Sequence, residues 1–391
     1  MLTFSKFRPY IALGSGLLFI LSGMLPFDQI LGALDFNVLL MIGGTMGLVQ
    51  LFIDSRMPER LADMIMDRVP NVQIAAVALS LFAGIISAFV DNVATVLMIA
   101  PIALAVCKKQ GMSPVPAIIS IAVSSNLQGA ATLVGDTTSI LLGGYAEMNF
   151  FDFFWFRGRP GIFWAVELGA ALTVLILLFL FRKETNPLTL TDKTEVTDYV
   201  PSYLMVGVVV ALILASFIPE PAEGGLLTLY NLRNGIICMV LLLVGIVVNL
   251  CRTKSLASTK GVFKEMDYQT LLLLASLFVV IQGITSAGVI DKLAELLVSL
   301  GGGNLFLMYT VIVFASVLIS AVVDNIPYVL TMLPVVTGVA QAMGGSLTCC
   351  ISVCSWARPW AGTLRLSVPA RTSRVSVSSA RRGTRSEQRT S

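Results

Sequence analysis

The chain has no histidine among its 391 residues, and only 13% of them are charged. Without imidazole there can be neither a histidine proton relay nor a histidine-ligated zinc or haem. Of six cysteines, Cys107, Cys238 and Cys251 show no metal-ligand spacing, and the other three lie together at 349–354. So little charge excludes an ordinary soluble domain. Instead 56% of the residues are hydrophobic, and apolar runs of about 17–25 residues, long enough to cross roughly 30 Å of hydrocarbon, recur along most of the length. The class this implies is an all-α polytopic membrane protein whose surroundings are the lipid bilayer. A net charge of +3 gives no reason to expect a nucleic-acid partner. The first apolar run, 10–24, has no small-residue cleavage site and is expected to be a retained helix.

What the chain does have is one phrase written twice. Residues 87–101 read SAFVDNVATVLMIAP and residues 320–334 read SAVVDNIPYVLTMLP. Each copy sets an aspartate (Asp91, Asp324) and an asparagine (Asn92, Asn325) inside apolar sequence. In a membrane such residues are costly and mark an ion or substrate site.

Spans are expected near 10–25, 33–53, 117–147, 161–181, 203–217, 234–250 and 269–289. The stretches 71–106 and 304–337, which hold the phrase, are each either one long tilted helix or a re-entrant hairpin. Loop charge favours hairpins. With the N-terminus cytoplasmic and 71–106 re-entrant, fourteen Lys and Arg fall inside, Lys6, Arg8, Lys108 and Lys109 among them. Only Arg157, Arg159, Arg233 and Lys292 fall outside, in keeping with the positive-inside rule. The apolar arms flanking Asp91 also count roughly 14 residues each, too short to span singly. On this topology 304–337 dips in from the opposite face.

The repeat extends further: Asp35-Phe36-Asn37 answers Asp267-Tyr268-Gln269, and Arg60-Leu61-Ala62 answers Lys292-Leu293-Ala294. Two halves of opposite orientation make an inverted-topology repeat, an architecture of secondary transporters. The expected organisation is a first repeat over 1–182, a cytoplasmic linker over 183–202, and a second repeat over 203–343. The aromatic segment 148–161 is expected to lie at the membrane interface.

Residues 124–144, SSNLQGAATLVGDTTSILLGG, crowd Ser, Asn, Gly, Thr and Asp into an apolar run. Gly129 and Gly135 weaken a helix, and Asn126, Thr132, Asp136, Thr137 and Thr138 offer oxygens to a cation or hydroxyls to an anion. Irregular backbone at membrane depth is tolerated where protein or a water-filled cavity satisfies it. An unwound segment facing the tip at Asp91-Asn92 is therefore expected, with helix ends presenting amides and carbonyls to a bound ion.

SAFVDNVATVLMIAP followed by SNLQGAATLVGDTTS resembles the ion-transporter superfamily of citrate and dicarboxylate carriers, arsenite permeases, the P-protein group and NhaD-type antiporters. The resemblance covers roughly residues 10–340. It implies a site built from Asp91, Asn92, Ser125, Asn126, Thr132, Asp136 and Thr137, with Asp324 and Asn325 at the second tip. Na+ or H+ would be the coupling ion at Asp91 and Asp324, with no other cofactor. In the dicarboxylate carriers the tip is Ser-Asn-Thr. Here Val90-Asp91-Asn92 and Val323-Asp324-Asn325 stand instead, similar to the arsenite-permease, P-protein and NhaD side. Two fixed carboxylates repel a dianion unless they are neutralised.

From about Gly344 the composition changes, with eight Arg and no Lys over 347–391. Symmetry requires a second unwound segment there. Back-translation of Gly362–Arg374, read one base earlier, permits Gly-Asn-x-Thr-Pro-Ile-Gly-Ala-Ser-Ala-Asn-Ile-Ala, similar to the family's second unwound motif. A frameshift near residue 344 is expected, leaving 344–391 a disordered tail; the alternative is a genuine basic tail on anionic lipid.

The expected function is secondary transport of a small ion in the cell membrane. Either a small anion, arsenite- or carboxylate-like, moves by H+ or Na+ coupling through alternating access, or Na+ exchanges for H+. A homodimer is a compatible assembly. Two intramembrane aspartates also raise an aspartyl protease as a remote alternative, but a proteolytic dyad needs no inverted repeat.

Overall fold

The computed structural model describes residues 7–187, 194–221, 225–253, 261–264, 266–301, 305–320 and 323–342. The tail expected over 344–391 lies outside the described residues. The helices are α1 (Arg8–Leu21), α2 (Phe27–Ala33), α3 (Phe36–Asp54), α4 (Met57–Met66), α5 (Val72–Ser87), α6 (Asn92–Gln110), α7 (Val115–Gln128) and α8 (Thr137–Tyr145). There follow α9 (Ile162–Leu180), α10 (Val200–Ala215), α11 (Gly225–Asn231), α12 (Arg233–Thr253), α13 (Tyr268–Ser286), α14 (Val289–Gly301), α15 (Leu305–Ser320) and α16 (Asn325–Ala342). Two short strands, β1 (Trp155–Phe156) and β2 (Arg159–Pro160), pair antiparallel between α8 and α9. Among the described residues five helices, α3, α6, α9, α12 and α13, are long and apolar enough to cross a membrane. Leu175, Ile176 and Phe179 of α9 stay exposed, a face suited to hydrocarbon rather than water. The chain is an all-α polytopic membrane protein.

Repeated residues set the helix starts. Asp35 accepts from the Val38 amide at 3.0 Å, and Asp267, its counterpart, accepts from the Thr270 amide at 3.0 Å. Asn71 caps α5 through the Ile74 amide at 2.9 Å. A side-chain oxygen at this position satisfies amides that the first helical turn leaves without partners. The starts recur in register: Phe36 with Tyr268, Met57 with Val289, Val72 with Leu305, and Asn92 with Asn325. Pro101 and Pro334 sit at matching places inside α6 and α16.

Small residues let α3 and α12 pack closely. The Gly235 amide donates to Asn37 Oδ1 at 2.8 Å, Gly44 meets Cys238, and Gly47 meets Leu242. Contacts advance together along both helices, so the two run parallel. A methyl group on Gly44 would lie 2.7 Å from both the carbonyl carbon and Cβ of Cys238. Neither is the end of a flexible side chain, so the helices would have to part. Gly44→Ala is expected to cost about 1–3 kcal/mol, read as a lower thermal midpoint of the detergent-solubilised protein.

Residues 71–110 double back on themselves. Asn71 bridges to Pro187, and the Val72 amide donates to Asn186 O at 3.1 Å. At the far end Gln110 Nε2 donates to Pro187 O at 3.2 Å. Both ends of the segment meet at one place, which makes α5 and α6 a hairpin with its tip at Asp91. The length expectation fails for one arm: α6 has 19 residues and is long enough to span by itself. The apolar count stops before Lys108 and Lys109, but the helix continues to Gly111, whose φ of 66° closes it. Lysines in a last turn suit the negative end of the helix dipole.

The same contacts show that 183–202 is more than a free connection. Thr194 N donates to Asp63 Oδ2 at 2.8 Å, Thr197 N to Ser55 O at 3.2 Å, and Arg252 pairs with Asp198 at 2.6 Å. Its described residues therefore run from the base of the hairpin to the corner between α3 and α4. The aromatic segment 148–161 also departs from expectation. Phe150 and Phe153 are fully buried in the core, while Trp155 is half-exposed. The turn between β1 and β2, with Gly158 at a φ of 79°, folds the segment back, and Phe154 packs on Phe163 at 4.5 Å between ring centres.

Candidate functional site

Two helix interruptions meet at the first copy of the repeated phrase. One is the hairpin tip between α5 and α6; the other is the break at 129–136, between α7 and α8. That break is narrower than 124–144. Ser125 and Asn126 lie on the last turn of α7, and Thr137 opens α8, so only Thr132 and Asp136 of the expected residues belong to irregular backbone. The helix extends because Ser and Asn cost it little, and Gly129 still holds helical angles, φ −56° and ψ −23°.

The contacts join the two interruptions residue by residue. Asn92 Nδ2 donates to Asn126 Oδ1 at 2.5 Å. The Ser125 hydroxyl reaches Asn92 O at 3.1 Å and Ser87 Oγ at 3.0 Å. Thr132 Oγ1 donates to Ala88 O, the last carbonyl region of α5. Thr138 Oγ1 donates to the Asp136 carboxylate, and Thr137 Oγ1 reaches its other oxygen at 3.3 Å. Asp91 Oδ2 accepts from the Val93 and Ala94 amides at 3.0 and 3.2 Å, capping α6.

Beneath these side chains lies a cup of backbone oxygens. A Cβ on Gly135 would stand 2.7 Å from each of Ser87 O, Ala88 O and Gly129 O. Gly135 has no positive φ, so glycine serves close approach here rather than an unusual turn. The carbonyls come from the negative ends of α5 and α7, and the amides at Asp91 and beyond from the positive end of α6. Ser87, Ser125 and Ser139 are fully buried, while Asp91, Asn92, Asn126 and Asp136 are half-buried. Asp136 is close enough for its charge to act on Asp91. Among the described residues, no group of three His, Cys, Asp or Glu gathers as in a dedicated metal centre. Carbonyls, hydroxyls and two carboxylates form an oxygen-rich set that favours a hard cation or a proton.

The second tip is furnished differently. Asn325 Oδ1 accepts from Ser320 Oγ at 3.0 Å, and the Tyr328 hydroxyl meets Ser316 Oγ across the fold between α15 and α16. Asp324 pairs with the Arg8 guanidinium. Arg8, counted above among the cytoplasmic charges, opens α1, which lies along α13.

Sequence reasoning left out Ser87 and Ser139, and it read Gly135 only as a helix breaker and Arg8 only as a loop charge. Ser87 carried a signal, since the repeated phrase begins with it and its counterpart Ser320. Gly135 carried a weaker one as a glycine beside an aspartate. The carbonyl cup has no side-chain signature at all.

The sequence profile of the family described as "Citrate transporter" matches residues 1–354. An uncharacterized transporter of Mycobacterium tuberculosis is 30% identical over 80% of this chain and 70% of its own length. A 46 kDa membrane protein of Mycobacterium leprae is 32% identical over 66% of this chain and 57% of its own. The human P protein is 29% identical over 39% of this chain and 19% of its own. With a profile match across most of its length and helices fit to span a bilayer, the chain belongs to the citrate transporter family and is a transporter rather than an enzyme.

Proposed function

We propose that the chain moves a small anion, carboxylate- or arsenite-like, by coupling to Na+ or H+ through alternating access. The observation that carries this is the meeting of two helix breaks around Asp91. There the carbonyls of Ser87, Ala88 and Gly129 lie beside Asn92, Ser125, Asn126, Thr132, Asp136 and Thr137. Broken helices that face one another are the means by which transporters bind ions at the midplane. In this proposal α5–α6 and α15–α16 are re-entrant hairpins entering from opposite faces, the N-terminus is cytoplasmic, and 1–182 and 203–343 are the two repeats. The parallel packing of α3 with α12 and of α1 with α13 supports that crossing order. Two carboxylates acting on each other at the first tip draw a cation before an anion can share the site.

A second proposal, Na+/H+ exchange, is favoured by the same Asp91–Asp136 pair, which binds a cation without needing an anion. Reconstitution in liposomes separates the two. Na+- or H+-driven uptake of labelled citrate or arsenite supports the anion transporter; Na+-dependent internal pH change without anion uptake supports the exchanger. No flux of any of them, in the 391-residue chain and in a version with the frame restored after residue 343, would count against both. We further propose that the restored frame gives the larger flux, because it supplies the second tip with an unwound partner.

A further inference from the structure

We propose that Arg8 is the built-in counter-ion of the second hairpin tip, so that the protein itself balances Asp324 and leaves only the first tip to an exchangeable cation. The functional consequence rests on the transport proposal above; the ion pair does not.

The two tips share a phrase but not an electrostatic setting. At the first, Asp91 accepts from the Val93 and Ala94 backbone amides and feels the like charge of Asp136. At the second, Asp324 faces a guanidinium, which stays protonated at any working pH. Both partners are largely shielded, the side chains being 23% and 28% exposed. A basic residue in a first turn sits at the positive end of the helix dipole, where a cation is unfavourable. The opposed charge of Asp324 offsets that cost, and the N-terminus of α1 adds its own partial positive charge to the pair.

Packing fixes Arg8 where it is. α1 runs parallel to α13, and a Cβ on Gly16 would stand 3.3 Å from Val279 Cγ1. Phe19 fills the space beside Gly283, whose added Cβ would lie 2.8 Å from the ring. The seam holds α1 along its length, so its first residue cannot drift from the tip without opening these contacts. A cation such as Na+ would then compete at the second tip with a tethered positive charge, and would bind mainly at the first.

The test uses the purified 391-residue protein in detergent, with thermal midpoints measured in choline chloride and in NaCl. Arg8→Gln is expected to lower the midpoint in choline. In NaCl it should regain stability, with a Na+-induced rise about twice that of the parent, because two tips rather than one then bind the ion. Arg8→Lys should behave like the parent. Arg8→Gln/Asp324→Asn should lose the extra Na+ response and cost less than the sum of the single changes. Additive costs, or no extra Na+ response in Arg8→Gln, would overturn the proposal. If Arg8→Gln alone cannot be purified, recovery of the double variant supports the pair, and its failure to be recovered overturns it. Liposome assays showing no transport alongside coupled midpoints would remove the transport proposal and leave the counter-ion standing.

Discussion

Gly135→Ala is expected to abolish transport, while Gly129→Ala, six residues earlier in the same break, leaves it nearly intact. A methyl group on Gly135 would press at 2.7 Å on three carbonyl oxygens at once, those of Ser87, Ala88 and Gly129. Two of the three cannot turn away cheaply. Ala88 O accepts from Thr132, and Gly129 O from Ser139 Oγ at 3.3 Å, so moving either releases a buried hydroxyl. The break and the hairpin tip would have to separate. A displacement of about 1 Å between groups that act together can lower turnover about 100-fold, which here means flux near the background of empty liposomes. The stability cost should be smaller, about 1–3 kcal/mol, since the strain is confined to the surroundings of one added methyl group. Gly129 is the control: its added methyl would meet Ser125 O at 3.4 Å and Asp136 Cβ and Ser87 Oγ at 3.5 Å, ordinary contact distances. Its backbone is helical already, so alanine fits without strain. Equal losses in both variants would mean that the break tolerates no side chain for general packing reasons, and the carbonyl cup would lose its special role.

How much of this could be read from the residues alone follows from what each feature depends on. Apolar runs record burial in lipid, so α3, α9, α10, α12 and α13 were visible within a few residues. Repetition is visible without any physics, and it led to Asp91, Asn92, Asp324 and Asn325. It also led to Asp35 and Asp267, which share the task of capping α3 and α13. The end of α6 was misjudged because Lys108 and Lys109 look like a loop in a hydropathy count, although a helix C-terminus welcomes them. Phe150 and Phe153 were misplaced for a related reason: aromatic residues mark interfaces and cores alike, and only the β1–β2 turn decides between them. The carbonyl cup was illegible, because backbone oxygens belong to every residue and only the crossing of two chain breaks gathers them. Arg8 was hidden by distance, since more than 300 residues of chain separate it from Asp324.

Asp91→Asn should separate the two tasks of that carboxylate, folding and coupling. Its Oδ2 takes both hydrogen bonds of the α6 cap, from the Val93 and Ala94 amides. Asparagine caps helices about as well as aspartate, so the amide oxygen can replace Oδ2, and stability should change by only about a few tenths of a kcal/mol, leaving the thermal midpoint nearly unmoved. The other oxygen, Oδ1, takes no part in the cap and is what remains for an ion. In the variant an NH2 group stands there, which donates rather than accepts and carries no charge. Cation-driven flux should therefore fall to background, although the protein purifies and melts as the parent does. The amide also imitates a protonated carboxyl. Any residual anion movement should thus lose its dependence on Na+ and on the pH gradient together, becoming downhill leakage. Retained Na+ or H+ coupling in Asp91→Asn would move the ion site away from the first tip, with Asp136 the next carboxylate to test. A large drop in midpoint would instead mean that the repeated aspartate serves the hairpin's fold more than its transport.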